Sequence, residues 1–273
     1  MVAGESKSAP AYDFLSGSSG TVTSWRANAR DALMDLELAV RGVPLRLRRA
    51  ARRSPPRRSV LVLGIEREDA PNVLAAAFAE LRRSRHLVTT AGTVAGDRGK
   101  WENVNGLLAE HPPRAHDWVL IVDDDVSLPH GFLDRFLFLV ERFGLRIAQP
   151  AHRRRSHAAW AVMRRASHAV VRETQFVEQG PLVAFARDAI VELCPFPQLR
   201  AGWGLDLHWS AIARERGWKL GVVDALPVRH GLREIASSYS IDAAIEEMRE
   251  FLSTRPYVRR DEALRTLATH TGW

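Results

Sequence analysis

Cysteine, lysine and tyrosine are scarce in this 273-residue sequence, with one cysteine (Cys194), three lysines and three tyrosines. A lone cysteine excludes an internal disulfide and any cysteine-based zinc cluster, and it suits a reducing, cytoplasmic compartment. No run approaches the ~18 consecutive apolar residues of a membrane span. Met1 to Gly20 is polar, with Glu5 and Asp13 and no apolar stretch, so it does not read as a secretory signal. The shortage of lysine also changes what the charge means. The formal net charge is +7, from 39 basic and 32 acidic residues, yet every cation except Lys7, Lys100 and Lys219 is arginine. Beside so much alanine this looks like the residue usage of a GC-rich genome. No helix-turn-helix, zinc or aromatic-basic motif accompanies it, so no nucleic-acid partner is expected. With 46% hydrophobic and 26% charged residues, the chain has the composition of a globular protein with a sizeable core.

Texture divides the chain into 1–58, 59–240 and 241–273. Residues 1–20 are small and polar, and are expected to be a disordered tail. Ser24 is placed to cap a helix running to about Arg41, with Trp25, Ala32, Leu33, Leu36 and Val40 on one stripe. Seven arginines follow between Arg46 and Arg58, closed by Pro55-Pro56. Two readings are open for them. One is a basic amphipathic anchor making peripheral contact with the inner face of an anionic membrane; the other, adopted as the expectation, is a helical arm and a solvated linker. From Ser59 strands and helices alternate: SVLVLGI, a helix from about Pro71, HLVTTAGTV, Lys100 to Glu110, DWVLIV, and Pro129 to Phe143. Continuous apolar strands in this order predict an α/β fold with a Rossmann-like, mostly parallel sheet flanked by helices, and an N-terminal helical arm. GPLVAFARDAIVEL reads as strand into helix, KLGVVD as a strand, and IDAAIEEMREFLSTR and RDEALRTLATH as closing helices.

The third strand ends in three carboxylates, Asp123, Asp124 and Asp125. Ligands in open α/β sheets bind beyond the carboxyl ends of strands, and adjacent anions repel unless a cation or water neutralises them. Period-two alternation puts Asp123 and Asp125 on one side, an oxygen pair suited to Mg²⁺ or Mn²⁺. Three metal-using classes share this pattern. A phosphoryl-aspartate hydrolase carries its motif on the first strand. A receiver domain needs a phosphoacceptor Asp some 45 residues on, and none occurs between Asp134 and Asp188. A nucleotide-sugar glycosyltransferase with a D-x-D motif fits the position.

The stretch from Gly96 to Phe136, with Lys100 and Asn105 ahead of VLIVDDDV, resembles the core of GT-A fold glycosyltransferases. AGWGLDLHW (201–209) resembles the GWG-x-[ED]-D segment of β-1,4-galactosyltransferase-type enzymes, and GVVDALPVRHG ends in His230, where many GT-A enzymes place a late metal ligand. The stretch from IAQPAHRRRSHAAW through GWGLD to GVVD is also similar to a poorly characterised glycosyltransferase-like family of plants and bacteria. The likeness spans roughly Ser59 to Gly231. GIERED stands where family 2 enzymes carry a T-Y-N-R-like turn, and TTAG stands where an Asp often reads the base.

That resemblance implies a metal-dependent hexosyltransferase moving a sugar from a nucleoside-diphosphate donor, a UDP-sugar first, to a hydroxyl of a saccharide or glycolipid. It implies Asp123, Asp125 and His230 as ligands of Mn²⁺ or Mg²⁺, and Lys100, Asn105 and Asp124 on the donor. Trp203 and Gly204 fall on the acceptor, and Asp206 is the general base of an inverting displacement. Two alternatives stay open: a non-catalytic GT-A-like binding module, and a nucleotidyltransferase, whose glycine-rich phosphate loop is missing after the first strand. Arg153, Arg154 and Arg155 read as a solvated face, and Glu178 as a weaker acceptor candidate.

Overall fold

Ser24 caps α1 (Trp25–Val40), its hydroxyl accepting the Ala27 N–H at 3.3 Å, as its place before an apolar-periodic run predicts. The computed structural model describes residues 12–16, 24–53, 56–232 and 240–273; most of the expected tail, and Pro55, lie outside them. The chain turns at Gly42 into α2 (Val43–Arg53) and continues as β1 (Ser59–Glu66), α3 (Leu74–Arg82), β2 (Leu87–Val94), α4 (Lys100–Glu110), β3 (Trp118–Asp123), β4 (Val126–Ser127) and α5 (Phe132–Arg142). Then come β5 (Leu145–His152), β6 (Val171–Thr174), β7 (Leu182–Ala186), α6 (Arg187–Leu193), α7 (Leu205–Glu215), β8 (Lys219–His230), α8 (Ile241–Ser253), α9 (Arg260–Ala263) and β9 (Thr266–His270).

The strands form one mixed, largely parallel sheet in the order β2-β1-β3-β7-β5-β8-β6-β9, with β4 paired to β8. β1 is parallel to β2 and β3, and β5 is parallel to β8. β7 runs antiparallel between β3 and β5, and β6 antiparallel between β8 and β9. Because side chains alternate along a strand, β1 and β3 feed both faces of the sheet. Leu61, Leu63, Val119 and Ile121 pack with Trp101, Val104 and Trp209 of α4 and α7. Val60, Val62, Leu120 and Val122 pack with Leu47, Phe132, Phe136 and Val140 of α2 and α5.

Four expectations are corrected. RDEALRTLATH is only briefly helical, as α9, and then becomes β9, because β6 presents an edge with which Thr266 to His270 pair antiparallel. Within the expected tail, Phe14 is buried and stacks on Tyr12, while the Arg260 N–H donates to the Asp13 carbonyl at 2.6 Å. Arg153 to Arg155 are not a merely solvated face. The Arg154 and Arg155 N–H groups donate to Asp31 at 2.9 and 3.1 Å, and Arg153 pairs with Asp35 at 2.9 Å. The fourth correction follows from the third. α1 docks by its acidic side, so Ala27, Asp31 and Leu38 face inward, while Trp25, Leu33, Leu36 and Val40 stand exposed.

The basic segment expected to be partly linker is helical to Arg53, with Val43, Leu47 and Ala51 buried. Truncating Leu47 leaves a cavity against α5, whereas Leu45 faces solvent. Leu47→Ala is expected to lower the unfolding free energy by about 2–4 kcal/mol, and Leu45→Ala by less than about 0.5 kcal/mol, in urea titrations.

Candidate functional site

The carboxyl end of β3 lies between β1 and β7, with Ile65 opposite Asp123 and Leu182 opposite Val122. Beyond it the three acids divide. Asp124 turns toward the β1–α3 loop, its carboxylate accepting the Arg67 N–H at 2.9 Å and its carbonyl the Val73 N–H at 2.6 Å. Asp123 and Asp125 gather on the other side. β4 then pairs with the far end of β8, Val126 opposite His230, and this register delivers the late histidine to the acids. His230 Nε2 lies 3.0 Å from Asp125 Oδ2. One potential ligand atom from each of Asp123, Asp125 and His230 lies within 4.8 Å of the others.

Lys100, the first residue of α4, reaches Asp123 Oδ1 at 2.5 Å and donates to the Gln179 carbonyl at 2.9 Å. Burial raises the Asp123 pKa and the charge of Asp125 adds to this, against the opposing pull of Lys100. For His230, burial opposes protonation, but the bond to Asp125 and the charges of Asp125 and Asp123 outweigh it, and the pKa rises. The two acids thus stand against a lysine and a histidine whose hold on its proton they strengthen. Gly180 makes room beside them: a Cβ there would lie 2.6 Å from Asp123 Oδ2. Two carboxylate oxygens and an imidazole nitrogen form a donor set that fits Mn²⁺ or Mg²⁺.

Asp206 sits in the first turn of α7, behind the GWG segment. Its oxygens accept the Leu207 N–H at 3.0 Å and the Gln179 N–H at 3.4 Å. Burial pushes its pKa up to about 7, past the opposing effects of these backbone donors and of Lys100. Gln179 therefore touches both halves of the site: its N–H reaches Asp206, its carbonyl reaches Lys100, and its side chain accepts from Trp101 Nε1 at 2.6 Å. Gly202, at φ +76°, lies so close to Trp101 that a Cβ would fall 2.3 Å from the indole Cδ1. Trp203 is half-buried against the core, beside Gly204.

Not every expected residue joins this group. Asn105 lies on α4, but its amide donates to the Phe196 carbonyl at 2.8 Å and accepts the Phe196 N–H at 2.9 Å, pinning a loop. Glu178 matters more than its place in the sequence suggested. Its side chain is 13% exposed, its pKa is raised well above the ordinary glutamate value by desolvation and by the charges of Asp206 and Asp123, and its Oε2 has no hydrogen-bond partner among the described residues. His152 Nε2 stands 4.0 Å from it, on an imidazole that burial and the neighbouring His230 hold neutral, with a pKa of about 3. Gln149 orients this corner by accepting the Glu178 N–H at 2.9 Å. Gln149 and His152 lie in the IAQPAHRRRSHAAW stretch of the family resemblance, but no spacing there marks them as site residues; β5 brings them here.

No protein-family model and no curated protein matches the chain. Solved structures do. A mannosyltransferase from Pyrobaculum calidifontis, in complex with GDP-Man and Mn²⁺, is 16% identical over 71% of this chain and 65% of its own, with a TM-score of 0.42. GalNAc-T7, solved with UDP, GalNAc and Mn²⁺, is 11% identical over 71% of this chain and 48% of its own, with a TM-score of 0.45. A197 from STIV is 9% identical over 64% of this chain and 86% of its own, also with a TM-score of 0.45. At these values the likeness carries no argument about chemistry, which rests on the residues of the site.

Asp206 ties the site to stability. It stays protonated in the folded chain up to about pH 7 and ionises near pH 4 when unfolded. Folding therefore takes up a proton between those values, and stability falls as pH rises through that window. In metal-free protein, Asp206→Asn is expected to raise the Tm at pH 8 by roughly 5 °C more than at pH 4. Thermal denaturation at the two pH values checks this.

Proposed function

We propose that this chain is a metal-dependent glycosyltransferase, moving a sugar from a nucleoside-diphosphate sugar to a hydroxyl acceptor. The observation that carries the reading is the convergence of Asp123, Asp125 and His230 within 4.8 Å, joined through Lys100 and Gln179 to a buried Asp206 with a pKa of about 7.

Asp123, Asp125 and His230 would hold Mn²⁺ or Mg²⁺, whose charge offsets the negative charge developing on the departing nucleoside diphosphate. Lys100, already at the acids, would exchange its bond to Asp123 for a phosphate oxygen of the donor. Asp206, with a pKa near working pH, would take the proton of the acceptor hydroxyl as that oxygen bonds the anomeric carbon. The bond from that carbon to the diphosphate oxygen breaks, and direct displacement of this kind inverts the anomeric centre. Trp203 would offer an aromatic face to acceptor sugar C–H groups. Glu178, pushed toward its neutral form and with an unpartnered oxygen, would hold an acceptor hydroxyl in place.

Ligand binding requires His230 to release its proton, so Mn²⁺ affinity is expected to climb with pH through the histidine range. Calorimetry should give a roughly tenfold or larger loss of Mn²⁺ affinity in Asp125→Ala and His230→Ala. With a panel of UDP-, GDP- and dTDP-sugars, nucleoside-diphosphate release should fall by about 10²–10⁴ in Asp206→Asn. A protein that binds no nucleotide-sugar in the presence of Mn²⁺ contradicts the reading.

A further inference from the structure

α1 carries an apolar stripe that nothing among the described residues covers. Trp25, Ala29, Ala32, Leu33, Leu36 and Val40 recur at helical spacing, and all are exposed. Trp25 is 74% exposed, Leu33 65%, Leu36 60% and Val40 79%. Soluble helices turn such a stripe inward. Here the opposite face is clamped to the body. Asp31 takes the Arg154 and Arg155 N–H groups, Asp35 takes Arg153 and Arg165, and Glu37 takes the His168 N–H at 3.1 Å. α1 is held with its apolar side outward by contacts reaching more than a hundred residues along the chain.

Past the turn at Gly42 the exposure continues on α2. Leu45 is 65% exposed, and one and two turns beyond it the same side of the helix carries Arg48, Arg49, Arg52 and Arg53, all exposed. α2 contains no acidic residue. The acids of α1 that would repel an anion are instead engaged: Asp31 by backbone N–H groups, Asp35 by Arg153 and Arg165, and Glu37 by Arg41 and the His168 N–H.

We propose that the consecutive helices α1 and α2 dock this protein on the surface of an anionic lipid bilayer. The Trp25–Val40 stripe would sink into the headgroup–acyl boundary, and the α2 arginines would contact lipid phosphates. An aromatic and aliphatic stripe next to a run of arginines matches a surface that is apolar within and negative without. A protein partner's apolar groove would satisfy the stripe alone and leave the arginines unmatched. No helix among the described residues is long and apolar enough to cross a membrane, so the contact lies in the interfacial plane. This inference stands independently of the catalytic reading.

Vesicle flotation with the full chain tests it, comparing phosphatidylcholine alone with phosphatidylcholine containing phosphatidylglycerol. Binding is expected only to the anionic vesicles and is expected to persist in part at about 0.5 M salt, where exposed charges are largely screened. The triple variant Leu33→Ser, Leu36→Ser, Val40→Ser should bind at least about tenfold more weakly, and Arg48→Ser with Arg52→Ser about tenfold more weakly at low salt. A blue shift of tryptophan fluorescence on vesicle addition should disappear in Trp25→Phe. The variants sit on exposed positions, and an unchanged Tm confirms that they fold. The proposal is overturned if the wild-type chain floats with neither vesicle. It is equally overturned if the serine triple variant binds as the wild type does. A third overturning result is a dimer in light scattering that the triple variant breaks, which makes the stripe an interface between copies.

Discussion

Carboxylates at the shielded end of a central strand stay ionised only where cations or hydrogen-bond donors offset the lost hydration, and the architecture around β3 answers that constraint. The Asp124 carboxylate accepts the Arg67 N–H of the β1–α3 loop. Asp123 and Asp125 meet Lys100 from the start of α4 and His230 from the end of β8, groups 130 residues apart in the chain. A site balanced by a lysine and a protonatable histidine can exchange both for a divalent ion without leaving bare charge behind.

The same economy of charge runs through the neighbouring acids. Asp206, buried, and Glu178, largely shielded, lie within electrostatic reach of one another and of Lys100, and both are pushed toward the neutral form. Burying such groups costs stability, and natural proteins retain that cost where a proton must move near neutral pH. Gln179 couples the two halves through its backbone N–H and carbonyl. The close approaches at Gly180 and Gly202 explain why glycine occupies those positions: any side chain would enter Asp123 or Trp101.

Local signals in the sequence carried much of this. Ser24 marks the start of α1, Lys100 to Glu110 is α4 to the residue, and the apolar runs of β1 and β3 predict buried strands. Alternation along DDD separates Asp124 from its neighbours, and the structure separates them in that way. What stayed hidden was non-local. Periodicity says which residues share a helix face but not which way the face points, and α1 points its apolar face outward because distant arginines hold Asp31 and Asp35. The antiparallel insertion of β7 and the strand at Thr266–His270 depend on which sheet edges are open. Asn105 looked like a donor contact by position, yet its two amide atoms match the backbone of Phe196. Glu178, Gln149 and His152 gain significance only through burial and through the strands that collect them.

The claim that the β3 acids and His230 form a metal centre is open to direct sight. Crystals soaked with Mn²⁺ and UDP, measured at the manganese absorption edge, should show one strong anomalous peak bounded by the carboxylates of Asp123 and Asp125 and the imidazole of His230, with Lys100 turned from Asp123 toward the diphosphate. An empty cluster with its Lys100–Asp123 and His230–Asp125 pairs intact, at a manganese concentration that saturates the protein in solution, would contradict the account.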